Sequence, residues 1–111
     1  MSAGDYSIGS ENWPGLAKVM EECGEVIQVA GKIIAADGRA IRWNMDETAD
    51  SPSPLTERLA DEVADTHAAL LFLIETNHLD TDRINARANR KLAMFRQWHA
   101  DNRDPSGVVP S

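Results

Sequence analysis

The chain has 111 residues, 42% of them hydrophobic and 26% charged, which suits one soluble globular domain and argues against wholesale disorder. The formal net charge of −7 disfavours general binding to nucleic acid or to an anionic membrane. No apolar run approaches the roughly 18 residues that a membrane span needs.

In chain order, the opening "MSAGDYSIGS" is turn-rich and reads as a flexible N-terminus over residues 1–10. It has no basic start and no apolar stretch of the secretory type, so the reading is cytoplasmic. The single cysteine, Cys23, cannot form an internal disulfide and reads as a small buried hydrophobe in a reducing compartment.

The first helical pattern runs from about Trp13 or Pro14 to Ala36. Asn12 is a candidate N-cap, Pro14 suits the first turn, and Gly38 follows the end. At helical spacing Leu16, Met20, Cys23, Ile27, Ala30 and Ile34 form one apolar stripe, with Val19, Val26 and Ile33 beside it. The stripe is the expected core face.

A connection of about 17 residues follows, residues 37–53, with Trp43 and Pro52 in it. Loops that long are uncommon in compact domains and tend to be functional or disordered. Trp43 there is a candidate for stacking on a base, or else for local packing.

The second helix is expected from about Pro54 to Thr76, with Ser53 as N-cap and Asn77 as C-cap. Its "ALLFLI" segment is apolar nearly all round, which marks a central helix. After "TNHLDT" the third helix begins at Asp80 or Thr81 and reaches about His99, with a stripe of Ile84, Ala88, Leu92, Phe95 and Trp98. Between Arg83 and Arg103 stand six basic residues and one acid, Asp101. The tail, residues 101–111, is again turn-rich. Three helices, with a short link outside the 37–53 connection, favour antiparallel neighbours and give an all-α bundle over residues 11–100. Three helices also make a thin core, so two chains are expected to complete a four-helix arrangement.

The chemistry-bearing residues are acidic. Glu21, Glu22 and Glu25 lie within about 100° of arc on the first helix, so their side chains can converge on one point, although taken alone they read as a solvated acidic face. In "DEVAD", Glu62 and Asp65 share one side of the second helix, and Glu62 falls among Thr66, Ala69 and Leu73 inside the apolar arc. A buried ionised carboxylate costs several kcal/mol, roughly, unless a cation neutralises it. Two cations are candidates: Arg58, four residues earlier, as a salt-bridge partner, or a divalent metal. Hard carboxylate oxygens without cysteine or paired histidines suit Mg²⁺, with Mn²⁺ as a substitute. Lys91 falls within the apolar stripe of the third helix or snorkels from it. It is the best candidate for holding a phosphate, with Arg87 near it and Arg96 further round.

"EECGE" followed by "DEVAD" resembles the E-E-x-x-E … E-x-x-D pattern of the MazG-like all-α nucleoside triphosphate pyrophosphohydrolases. The likeness also takes in "WPGLAKVM", "AALLFLI" and "NRKLAMFRQW", about residues 13–98. The resemblance implies Mg²⁺-dependent hydrolysis of a nucleoside triphosphate to monophosphate and pyrophosphate, in nucleotide house-cleaning, by a homodimer or homotetramer. It implies Glu22, Glu25, Glu62 and Asp65 as metal ligands and Glu21 as a further ligand or the base that orients water. Lys91 and Arg96 resemble the trailing Lys/Arg pair. One departure is the 36 residues between Glu25 and Glu62, longer than the usual spacer. Lengthening a loop costs only about 0.6 kcal/mol per doubling, so the fold tolerates it. A phosphoribosyl-ATP pyrophosphohydrolase is the related enzyme reading. A non-catalytic helical interaction module is the reading from a different class.

Overall fold

The computed structural model describes residues 4–36 and 55–103. Among these there are three helices and no strand: α1 (Leu16–Ala35), α2 (Leu55–Thr76) and α3 (Thr81–Ala100). The loop expected at 37–53, with Trp43, the stop expected at Gly38, the N-cap expected at Ser53 and the helix start expected at Pro54 lie outside the described residues. No described helix is long and apolar enough to cross a membrane.

The chain falls into two compact units, one ending at Leu79 and one beginning at Asp80. The first is an α1–α2 hairpin. Asn77 Nδ2 donates to the Pro14 carbonyl at 3.0 Å, and Thr66 Oγ1 donates to the Glu22 carbonyl at 3.2 Å. Residue numbers rise on α1 as they fall on α2 across these contacts, so the two helices are antiparallel. Val29, Leu55 and Ala69 are its buried apolar side chains.

The start of α1 differs from the sequence expectation. Asn12 does not cap it; Gly15 is the N-cap residue, with φ +87° and no side-chain cap. The reason is the packing of Gly15 on α2. A Cβ at Gly15 would stand 2.7 Å from Phe72 Cδ2, and the left-handed backbone is strained for any side chain. Trp13 also has a left-handed backbone, at φ 46°. Residues 4–10, read as a flexible lead-in, form turns tied to the helix start. Gly15 N–H donates to the Ser7 carbonyl and Ala17 N–H to the Tyr6 carbonyl, each at 2.9 Å.

The core face of α1 also differs. Met20, Ile27 and Ile34 of the expected stripe are 72%, 69% and 78% exposed, while Val29 is 3% exposed. Leu16, Cys23 and Ala30 of that stripe are half-buried together with Glu22, Val26 and Ile33 around Val29, so the packed arc is rotated from the expected one by less than one residue step of about 100°. Both arcs are apolar enough to be buried, and periodicity alone does not choose between them.

The ends of the other helices follow their sequence signals. Asn77 closes α2 by donating its side-chain amide to the Leu73 carbonyl at 2.9 Å. His78 then takes a left-handed φ of 54°, and Leu79 N–H returns to the Ile74 carbonyl, the usual Schellman closure. Asp80 caps α3 by accepting from Arg83 N–H at 3.0 Å. Within α3 the Phe95 and Trp98 rings meet at 5.4 Å, tilted by 54°. No residue of α3 is buried.

Candidate metal centre

The inner arc of α1 and the facing arc of α2 each carry carboxylates where a core would place hydrocarbons. Glu22 and Glu25 lie one turn apart on α1, and Glu62 and Asp65 one turn apart on α2. Each offers an oxygen, and the four oxygens all lie within 4.8 Å of one another. Thr66 sets this juxtaposition. Its hydroxyl stands 2.8 Å from the Glu62 carbonyl and 3.2 Å from the Glu22 carbonyl, so one proton is shared between the backbones of both helices at the level of the acids. By sequence position Thr66 is only a neighbour of Glu62 in an apolar arc. A hydroxyl four residues after Glu62 in that arc was the available signal.

Glu22 Oε2 and Glu62 Oε2 are buried atoms without a hydrogen-bond partner. An unpaired buried polar atom is costly, more so when charged. The salt bridge considered between Arg58 and Glu62 does not form. Among the described residues the ion pairs are Lys18–Glu21 at 3.0 Å and Arg103–Asp101 at 3.6 Å. Glu21, expected as a ligand or base, is not one of the four convergent acids. It is exposed, and its Oε2 accepts from Lys18 Nζ.

The electrostatics follow from crowding. Glu62 is held above the usual carboxylate range first by hydrogen bonding with the Glu25 carboxyl, and then by desolvation and the neighbouring negative charges. Glu22 is raised first by desolvation, then by Glu25 and Asp65. Lys18 is raised by its hydrogen bond and charge pairing with Glu21.

These directions define a pH dependence. A carboxyl whose folded pKa is raised binds its proton more tightly folded than unfolded. Its stabilising contribution is complete below the ordinary value of 4.5 and is lost as pH rises through the raised folded values. Thermal melts in chelator from pH 4 to 7 are therefore expected to show a loss of stability with rising pH. A Glu22→Gln/Glu62→Gln variant flattens that slope. A slope identical in the variant would locate the effect elsewhere, in general self-repulsion of the acidic chain.

The basic candidates lie on α3. Arg87, Arg90 and Lys91 are exposed and, with Met94, line a surface depression of about 220 Å³. Lys91 is exposed, and no residue of α3 forms a buried stripe around it. Arg96 is exposed and outside that depression. None of these cations has an ion-pair partner among the described residues.

The donor set fits a hard divalent cation. Four carboxylate oxygens, no sulfur and no imidazole suit Mg²⁺ or Mn²⁺, and the two orphaned oxygens are the kind of group that a cation satisfies. No protein-family model matches the chain, and no curated protein and no solved structure matches it.

Proposed function

We propose that the chain is a divalent-metal-dependent nucleoside triphosphate pyrophosphohydrolase of the MazG-like kind, acting in the cytoplasm. The observation that carries this reading is the convergence of Glu22, Glu25, Glu62 and Asp65 from two helices, with two of their oxygens buried and unpartnered. Acids with buried, unpartnered oxygens are costly without a cation, and their meeting at one point makes sense as a site for Mg²⁺ or Mn²⁺.

In this reading the four acids hold the metal, and Thr66 keeps the two helices in register so that the acids stay convergent. When bound, a divalent ion supplies positive charge that offsets phosphate repulsion and acidifies water. Glu21, outside the four-acid cluster and paired with Lys18, would have to leave that ion pair to accept a proton from the attacking water. Carboxylates repel phosphate, so cations must hold the rest of the triphosphate. Lys91, Arg87 and Arg96 are assigned that role, with Trp43 as a stacking candidate. Water attack then breaks the α–β anhydride and yields a monophosphate and pyrophosphate. Nucleotide house-cleaning follows from the MazG likeness.

The test is pyrophosphate release across a panel of ribo- and deoxynucleoside triphosphates with Mg²⁺. Release from at least one, with a nucleoside monophosphate as co-product, is the expected result. Orthophosphate alone would contradict cleavage at the α–β bond, and silence across the panel would favour a helical docking module. The exposed Leu92 and Phe95 beside the basic residues of α3 are what favour that second reading.

We also propose a dimer. Met20, Ile27 and Ile34 are spaced at seven residues and exposed, and Val63 and Leu70 of α2 repeat the spacing at 51% and 41% exposure. Both rows are rotated from the α1–α2 seam in the same sense by roughly a third of a turn. In antiparallel helices an equal rotation puts both rows on one side of the hairpin. A second copy covering that side would give the four-helix core.

A further inference from the structure

On the opposite side of the hairpin a cavity of about 580 Å³ opens directly from the acidic cluster, with Glu22 and Asp65 in its wall. Its size falls in the range of small-ligand sites. The α2 wall is built from Asp65, Ala68, Phe72 and Glu75, spaced by three, four and three residues and therefore on one helix face. Ala68 is small, and that smallness makes the hollow. The Phe72 ring is held from behind by Gly15, against which it packs too closely for any larger residue. Ile8, from the turns before α1, closes another side.

The two ends of this wall differ in chemistry. Asp65 belongs to the four-acid cluster. Glu75 stands ten residues on, about 15 Å along the helix axis, and its exposed carboxylate has no hydrogen bond or ion pair among the described residues. An acid cluster suited to metal and phosphate, then an apolar shelf with an aromatic ring, then a free hydrogen-bond acceptor is the order of groups along a nucleotide.

Resting on the pyrophosphohydrolase reading, we infer that this cavity receives the nucleobase and that Glu75 selects bases carrying an exocyclic amino group on the Watson–Crick edge. An ionised carboxylate only accepts hydrogen bonds. It matches the amino groups of cytosine and adenine and opposes the carbonyl oxygens of uracil and hypoxanthine at the same position. Phe72 supplies the stacking face, which is tolerant of base identity. The discrimination therefore lies with Glu75.

The test is calorimetric titration, with and without Mn²⁺, of the α,β-imido analogues of four triphosphates: cytidine against uridine, and adenosine against inosine. The amino member of each pair is expected to bind about tenfold more tightly, the scale of one hydrogen bond to a charged group. Glu75→Gln, which both donates and accepts, is expected to narrow each ratio to about twofold or less while Mn²⁺ affinity stays unchanged. Ala68→Leu fills the hollow from an exposed position and is expected to weaken all four analogues by about tenfold or more, again without touching Mn²⁺. Equal affinities within both pairs, or ratios that Glu75→Gln leaves intact, overturn the inference while Mn²⁺ binding and pyrophosphate release still support the enzyme. An amino preference without Mn²⁺ binding keeps the base pocket and removes the metal reading. Binding of neither metal nor analogue overturns both.

Discussion

Glu62→Gln is expected to abolish Mn²⁺ binding and pyrophosphate release while raising the melting temperature of the metal-free protein. The two effects have opposite signs for one reason. Glu62 sits within 4.8 Å of three other carboxylate oxygens and has a buried, unpartnered oxygen of its own. Without metal, removing its charge relieves repulsion and desolvation. With metal, the same change deletes one of four ligands. Loss of an outer-shell partner already costs about 10–100-fold in metal affinity, and a direct ligand costs more. Calorimetry with Mn²⁺ and thermal melts in chelator read the two halves separately. A salt-bridged structural glutamate would behave otherwise: its amide variant would melt lower and leave metal binding alone. Stability lowered by a site and restored by its ligand is the ordinary signature of function built into a core. If wild-type protein takes up no Mn²⁺ at millimolar concentration, the site does not exist.

Ile27→Glu is expected to convert a dimer to a monomer with its helical content intact. Ile27 is the middle of the exposed row Met20–Ile27–Ile34, so the substitution meets solvent in the isolated chain and costs the hairpin little. Fully burying one such side chain is worth about 1.5–3 kcal/mol. Six of them across a symmetric pair, each roughly two-thirds exposed beforehand, supply about 6–12 kcal/mol. Association costs about 4–15 kcal/mol in lost freedom, so this row brings the pair near balance and the Val63–Leu70 row tips it. A glutamate at the centre would place two charges in the seam. Light scattering at micromolar concentration distinguishes the outcomes. Wild type at twice the chain mass and the variant at the chain mass is the expected pair. A wild-type monomer would sink the dimer, and four chain masses would point to a tetramer that uses a further face.

This opposition of faces matters for the site. The apolar rows and the cavity are rotated from the α1–α2 seam in opposite senses, so a second copy would cover the hydrocarbon and leave Phe72 and Glu75 open. Lys18, which lines the same cavity and pairs with Glu21, would stand at its acidic end. Self-association and ligand entry are thus compatible on one small hairpin.

Much of this was legible in residue order. Helical periodicity, Asp80 as a cap and Asn77 as a stop defined the helices to within a few residues, because these signals are local and act on the backbone beside them. The grouping of Glu22, Glu25, Glu62 and Asp65 was also legible. Spacing alone put only Glu62 inside an apolar arc, where it must meet a cation or a partner; the set of four came from the likeness of "EECGE" and "DEVAD" to the MazG-like pattern. Other features were settled only when α1 and α2 met. Hydrophobic attraction has no direction, so two adjacent apolar arcs on α1 compete equally until shape decides. Gly15 against Phe72, the shared proton of Thr66 and the reach of Asn77 to Pro14 choose the arc with Val29 and leave Ile27 outside. The same rotation separates Glu22 from Glu21. Neighbours in sequence stand about 100° apart on a helix, and only the partner helix says which of them faces inward.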